Sequence, residues 1–161
     1  MGASCEPREP TPGQTVRMAV PDLQRFVDAQ DADGTFTRAL DELAAGHKRT
    51  HWMWFVFPQL AGLGTSGTSR HFALASVEEA VAYLGHPVLG PRLHEASRRV
   101  LTGPSATAVD ILGPVDATKL RSSMTLFHRA DPDDPLFPAV LERFFDGVPD
   151  RRTDALLAAD G

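Results

Sequence analysis

The densest group of chemically useful side chains in this sequence lies at residues 47–59, HKRTHWMWFVFPQ. Arg49 offers a permanent cation and His51 a titratable imidazole, and both tryptophans of the chain follow directly. A guanidinium binds phosphate or carboxylate through paired N–H groups, and an indole stacks on cations or flat groups. We therefore predict that Arg49 and His51 rim an anion-binding pocket with Trp52 or Trp54 as its floor.

The same residues have a structural explanation that stays open. Gly46 is predicted to end a helix, and cations just beyond a helix C-terminus offset its partial negative charge by up to about 1 kcal/mol. Aromatic side chains are also more often part of a core than of a binding surface. The tryptophans, taken alone, favour packing.

A glycine-rich loop follows the aromatic run, because residues 62–67 read GLGTSG. This is the G-x-G-x-x-G spacing of a dinucleotide-binding turn, which requires a strand before the glycines and a helix after them. No strand is predicted before Gly62, so a connection between helices is favoured. The functional alternative is a nest of backbone amides that includes Ser66 and binds an anion.

A second polar group interrupts the apolar segment KLRSSMTLF at residues 119–127. On a helix, Arg121 and Thr125 lie on one side with Ser122 beside them, while the apolar residues form a buried face. Serine and threonine are weak helix formers. Their hydroxyls either bond back to carbonyls of the preceding turn or contact a ligand, and the sequence leaves both open.

Patterns for catalysis and metal binding are missing from the sequence. No G-x-S-x-G elbow presents a serine nucleophile, and no H-E-x-x-H pair presents zinc ligands. Catalytic residues are therefore unassigned, and no metal or cofactor is predicted. If the protein is an enzyme, His51 is the predicted acid or base, with Arg49 and Arg121 stabilising negative charge.

Composition restricts the class of protein. The chain has 16 basic and 21 acidic residues, a formal charge of -5, so no overall field attracts nucleic acid or an anionic membrane. Its single cysteine, Cys5, excludes an internal disulfide. No apolar run approaches the ~20 residues that cross a bilayer, and no signal-peptide pattern is present. We expect a cytoplasmic protein without nucleic-acid or membrane partners, and its protein partner is unspecified.

The elements that must position these groups are short helices separated by glycine and proline. The predicted N-caps are Asp22, Ser76, Ser105, Asp116, Asp134 and Asp150. The run at residues 52–57 is apolar on every side, which predicts a short buried helix. No period-two alternation indicates strands. We predict an all-α single domain at residues 18–161, packed around a central apolar helix, with a disordered tail at residues 1–17.

Four segments resemble a family of small, mainly helical bacterial proteins of unknown function. They are FVDAQ (26–30), KRTHWMWFVFPQLAGLG (48–64), HPVLGPRL (86–93) and KLRSSMTLF (119–127). The resemblance runs from about Asp22 to Leu157 in the family's order and spacing. Members are often labelled calpastatin, but that label describes a long disordered inhibitor of a eukaryotic protease and does not fit this helical pattern. The resemblance implies a helical fold and no established reaction.

These observations combine into one functional hypothesis. The predicted ligand-binding residues are Arg49, His51, Trp54, Gln59, Ser66, Arg121 and Ser122. We expect them to converge, with the loop at residues 62–69, on a cleft for a small anionic or nucleotide-like ligand. The alternative is a non-catalytic protein-interaction adaptor whose partner surface includes the acidic segment at residues 131–134.

Overall fold

Glycine and proline divide the chain into short helices in the computed structural model, which describes residues 22–160. The helices are α1 (Gln24–Asp31), α2 (Thr35–Ala45), α3 (Met53–Val56), α4 (Gly67–His71), α5 (Val77–Gly85), α6 (Leu89–Thr102), α7 (Ala108–Leu112), α8 (Pro114–Ala130), α9 (Leu136–Phe145) and α10 (Arg151–Asp160). A 3₁₀ turn, Ala32–Gly34, joins α1 to α2. Between residues 22 and 160 the only β-type pairing is an isolated parallel bridge between Leu60 and Leu74. The predicted all-α class is confirmed; the predicted tail at residues 1–17 lies outside the described residues.

The central helix is α8, which packs against α5, α7, α9 and α10. Its residues Leu120, Met124 and Phe127 are fully buried, as their helical spacing predicts. The aromatic run does form a short helix, α3, but it is a single buried turn. The core therefore gathers around the longer α8, and α3 packs against α1 and α6.

Several predicted helix boundaries are confirmed. Gly46 ends α2 in the left-handed conformation, at φ 80°, which glycine adopts without strain. The Ser76 hydroxyl accepts a hydrogen bond from the backbone N–H of Glu79 at 3.1 Å, as the capping-box pattern predicts. At the start of α10, the Asp150 carboxylate accepts from the backbone N–H of Thr153 at 2.9 Å.

Three predicted N-caps are wrong. No side chain caps α1, so Asp22 does not have that role. Thr107 caps α7 in place of Ser105. Helix α8 begins at Pro114, so Asp116 lies inside its first turn. Proline suits the first helical position because its fixed φ is already helical and its missing N–H has no partner there.

A buried carboxylate holds the segment between α2 and α3 in place. Glu42 is 7% exposed, and its Oε1 accepts from the backbone N–H of Arg49 at 2.7 Å and from the indole N–H of Trp52 at 2.9 Å. Thr50 donates its backbone N–H to Oε1 at 3.1 Å and its hydroxyl to Oε2 at 2.7 Å. Burial raises the pKa of Glu42, but these bonds to the charged form outweigh it and lower the pKa to about 2.

A buried amide at the end of α1 links four helices. The Nε2 group of Gln30 donates to the carbonyl of Phe55 in α3 at 2.7 Å and lies 3.2 Å from the Tyr83 hydroxyl of α5. Its Oε1 accepts from Arg92 of α6 at 3.2 Å. Because leaving such a buried group unpaired costs about 1–3 kcal/mol, Gln30 specifies how these helices meet.

Replacing Glu42 by glutamine should destabilise the protein strongly. The amide keeps the size of the side chain, but its NH2 group cannot accept the hydrogen bonds that the carboxylate oxygens accept. We expect a loss of about 3 kcal/mol in the free energy of unfolding, measured with guanidinium chloride at neutral pH. Asp41→Asn makes the same chemical change at the neighbouring exposed position and should change stability by less than about 0.5 kcal/mol. Equal unfolding free energies for the two variants would contradict the role of Glu42.

The pH dependence of stability should carry the signature of Glu42. Its folded-state pKa, about 2, lies below the ordinary value of 4.5, so its contribution is complete above pH 4.5 and is lost as the pH falls towards 2. A shift of this size corresponds to about 3 kcal/mol. The difference in unfolding free energy between the parent and Glu42→Gln should therefore shrink across this interval, as measured by denaturant unfolding at each pH. A difference that stays constant from pH 5 to pH 2 would refute the assignment.

Candidate ligand-binding cleft

Three segments that are distant in the sequence meet at a cleft of about 370 Å³. The lining residues are Gln59, Leu63, Gly64 and Ser69 from the loop side, Pro114, Val115, Thr118, Lys119 and Ser122 from α8, and Asp150 and Arg152 from the start of α10. The lining combines apolar side chains, hydroxyls, an amide, two cations and one carboxylate. A mixture of apolar walls and a few convergent polar groups is typical of small-molecule sites.

The α8 wall follows directly from helical periodicity. Pro114, Thr118 and Ser122 are spaced four residues apart, which places them on one face of the helix, and Lys119 lies beside them. Because Pro114 is the first residue of α8, the positive end of the helix lies at the cleft. The Ser122 hydroxyl donates to the Thr118 carbonyl at 3.2 Å, so the back-bonding role that the sequence left open is observed.

Lys119 is held in position by neighbours on two sides. Its ammonium lies 3.5 Å from Oδ1 of Asp116 and 4.9 Å from the ring centroid of Trp54. The other oxygen of Asp116 lies 3.0 Å from the ammonium of Lys48, whose own charge lies 5.1 Å from the ring of Trp52. Asp116 therefore ties the aromatic segment to the first turn of α8 and helps to hold the side chain of Lys119, a residue of the cleft lining.

The loop wall depends on a close approach that only glycine permits. A Cβ on Gly64 would lie 2.5 Å from the Cβ of Ser69, whereas one on Gly67 would meet nothing within 4 Å. The Ser66 hydroxyl accepts from the backbone N–H of Ser69 at 3.1 Å and lies 2.9 Å from its hydroxyl. Gly62 has a φ of 101° and packs near Leu156 of α10. The glycine-rich sequence thus forms a tight loop, and no strand precedes it within residues 22–61.

The third wall is the first turn of α10. The backbone N–H of Asp150 donates to the hydroxyl of Thr125 on α8 at 2.8 Å, which anchors this turn against the central helix. The carboxylate of Asp150 accepts from the backbone N–H and the hydroxyl of Thr153, at 2.9 and 2.7 Å. Arg152 extends towards the loop, with one guanidinium nitrogen 3.5 Å from the carbonyl of Leu63.

Four of the predicted ligand residues lie at or beside this cleft. Gln59 and Ser122 line it. Trp54 is half-buried and lies against Lys119, and Ser66 holds Ser69 in the loop wall.

The other three predicted residues lie elsewhere. Arg49 is exposed and borders a separate depression with Arg38 and His47. His51 is exposed and is not part of the cleft lining. The Nε of Arg121 donates to the carbonyl of Val148 at 2.9 Å. The predicted convergence of all seven residues on one opening is therefore not observed.

Sequence reasoning missed Lys119, Asp150 and Arg152 as cleft residues. Lys119 and Arg121 are two positions apart, about 200° around the helix, so they point in different directions. The spacing of Lys119 from Ser122, three residues, was the signal that could have selected it. No local signal identifies Asp150 and Arg152, because their place depends on how α10 packs against α8.

In the acidic segment at residues 131–134, the carboxylate of Asp134 is bonded to groups elsewhere in the protein. Oδ2 of Asp134 lies 2.6 Å from Nε2 of His94, and its Oδ1 accepts from the backbone N–H of Leu136 at 2.9 Å. Burial raises the pKa of Asp134, but these hydrogen bonds outweigh it and lower the pKa overall. This carboxylate therefore helps to attach α9 to α6.

A serine nucleophile requires an adjacent base, and among residues 22–160 no histidine lines the cleft. Over the same range no cluster of three or more histidine, cysteine or acidic side chains has the geometry of a metal site. No helix in the described part of the chain is long and apolar enough to cross a membrane.

Together, these features define a mainly helical protein whose central helix begins at a polar cleft. The chain belongs to the family described as "Protein of unknown function (DUF1810)", whose model matches residues 20–157. It is similar to the crystal structure of the conserved hypothetical protein Rv1873 from Mycobacterium tuberculosis, with 50% identity, a TM-score of 0.82, and coverage of 85% of this chain and 96% of that chain. A search of curated proteins finds no match. The predicted membership of a small helical family of unknown function is confirmed.

Gly64→Ala should disturb the loop wall, whereas Gly67→Ala should not. A methyl group at Gly64 would lie 2.5 Å from the Cβ of Ser69, so the loop or α4 has to move, at a cost of about 1–3 kcal/mol. At Gly67 the methyl enters open space on a helix, so stability should stay the same or rise slightly. Thermal unfolding of both variants checks this. A Gly64→Ala protein as stable as Gly67→Ala would show that the loop is not tightly packed.

Proposed function

We propose that this protein binds a small anionic ligand in the cleft between the glycine-rich loop, the start of α8 and the start of α10. The observation that carries the proposal is the positioned side chain of Lys119, in the second turn of the central helix, in a cleft that also contains Arg152 and the first residue of that helix, Pro114. Both cations lie where separate chain segments meet. Lys119 lies between α8 and the aromatic segment, and Arg152 lies between α10 and the glycine-rich loop.

Positive groups near the cleft favour an anion there, although the protein as a whole is acidic. The whole protein has a formal charge of -5, so an anion site on it requires a local excess of positive charge. Asp116 is shared between Lys48 and Lys119, at 3.0 and 3.5 Å, and therefore does not neutralise both ammonium groups. The N–H groups in the first turn of α8 add partial positive charge at the cleft, whereas the start of α10 is already capped by the Asp150 carboxylate.

The remaining lining supports a ligand larger than a bare ion. Leu63, Pro114 and Val115 provide apolar surface, and Val115 is 67% exposed. Gln59 provides both a donor and an acceptor, and Ser69 and Thr118 provide hydroxyls. A cleft of about 370 Å³ lies near the lower end of the usual range for small-molecule sites, about 300–1,000 Å³.

Lys119→Gln should reduce ligand-dependent stabilisation. Inorganic phosphate, pentyl phosphate and ribose 5-phosphate are suitable probes, and a ligand at about 100 times its Kd should stabilise the parent by about 2.7 kcal/mol in thermal unfolding. Removing the ammonium should weaken binding of a phosphate by about tenfold, because a charge-assisted hydrogen bond is lost. The unliganded variant should keep nearly full stability, since partly exposed ion pairs contribute about 0–1 kcal/mol.

Arg98→Gln is the matched control for this experiment. It also removes one positive charge from an exposed helix position, but Arg98 lies on α6 and pairs only with Glu95 among the described residues, at 3.4 Å. Its ligand response should equal that of the parent. The proposal fails if no probe stabilises the parent, or if Lys119→Gln and Arg98→Gln respond equally.

A further inference from the structure

The cleft has different chemistry at its two ends. Along α8, the six residues from Lys119 to Thr125 correspond to a rise of about 9 Å. Asp150 lies beside Thr125, because its backbone N–H donates to the Thr125 hydroxyl at 2.8 Å. Lys119 and Asp150 therefore line the same cleft at two different heights along the axis of α8, and Ser122 lies between them.

The carboxylate of Asp150 has one oxygen with acceptor capacity for a ligand. Both hydrogen bonds from Thr153 go to Oδ2, at 2.9 and 2.7 Å. From residue 22 to residue 160, no side chain or backbone group donates to Oδ1. A carboxylate is an acceptor only, so its complement in a ligand is a hydroxyl or another donor.

Asp150 also has a structural role that can be separated from ligand contact. Its Oδ2 caps the first turn of α10, a role that asparagine and serine fill equally well. In Asp150→Asn, the amide oxygen can retain the cap, which turns the NH2 group towards the position of Oδ1. The substitution thus exchanges an acceptor for a donor at the cleft while it preserves the helix start.

We propose that the ligand is a phosphorylated sugar, with its phosphate at the Lys119 level of the cleft and its hydroxyls donating to Asp150. This inference rests on the proposed function, because it names the class of anion that the same cleft takes. The ammonium and the start of α8 are complementary to the phosphate. The free carboxylate oxygen is complementary to the sugar hydroxyls, and the exposed apolar rim at Val115 is complementary to the carbon skeleton.

Three probes separate the two parts of this ligand. Ribose 5-phosphate has both the phosphate and the hydroxyls, pentyl phosphate has the phosphate and a five-carbon chain without hydroxyls, and ribose has only the hydroxyls. Isothermal titration of the parent should give a Kd for ribose 5-phosphate at least about tenfold below that for pentyl phosphate, the effect of one charge-assisted hydrogen bond. Ribose should bind more weakly than either.

Asp150→Asn should remove most of this preference. We expect the ratio of its Kd for pentyl phosphate to its Kd for ribose 5-phosphate to fall about tenfold relative to the parent. Loss of the negative charge strengthens binding of both phosphate compounds to the same extent and leaves this ratio unaffected. Lys119→Gln should weaken both phosphate compounds. Should Asp150→Asn fail to fold, Asp150→Ser retains a helix cap and carries the same test.

The outcomes distinguish this inference from the proposed function. If both phosphate compounds bind the parent with equal affinity, or if Asp150→Asn keeps the preference, the sugar assignment is overturned and the anion site stands. If ribose alone binds as tightly as ribose 5-phosphate, the end of the cleft near Lys119 does not bind a phosphate, and the inference is also overturned. If no probe binds, the proposed function fails and the inference fails with it.

Discussion

The buried carboxylate of Glu42 is the interaction on which the arrangement of the functional region depends. It accepts hydrogen bonds from two backbone amides, a hydroxyl and the Trp52 indole, so the chain between α2 and α3 is tied to α2. A buried charge is tolerated only when it is fully paired. The segment it fixes contains Lys48, whose ammonium then reaches Asp116 in the first turn of α8. Asp116 also pairs with Lys119, so a chain of charged contacts links the segment beside Glu42 to the cleft lining.

The cleft itself is assembled by polar groups that satisfy the ends of helices. Ser66 caps α4, Asp150 caps α10, and Pro114 starts α8, and each of these starts lies at the rim or in the wall. Helix N-termini leave unpaired N–H groups and partial positive charge. Where several of them border one opening, their partial charges lie close together, and this is a basis of the proposed anion site. The hydroxyl of Thr125 contributes by holding the start of α10 against the central helix.

Local sequence rules predicted the helices better than the site. The stripe of Leu120, Met124 and Phe127 is buried as its spacing indicates, and Gly46 ends α2 as its type indicates. N-caps were less certain, because several residues that can cap occur close together and the packing selects one of them. The cluster at residues 47–51 looked like a pocket rim, but its backbone is largely committed to Glu42 and its Arg49 side chain faces a different depression.

The sequence by itself determined the all-helical class, the buried faces and several helix ends, because these depend on periodicity and on the backbone preferences of glycine, proline and capping residues within a few positions. It also predicted that the loop after Pro58 and the polar face of α8 belong to one region, and Gln59 and Ser122 do line the same cleft. Only the tertiary structure decided that Lys119, and not Arg121, faces that cleft, and that Asp150 and Arg152 complete it. The direction of a side chain depends on the rotation of its helix against its neighbours, which is set by contacts between residues far apart in the chain.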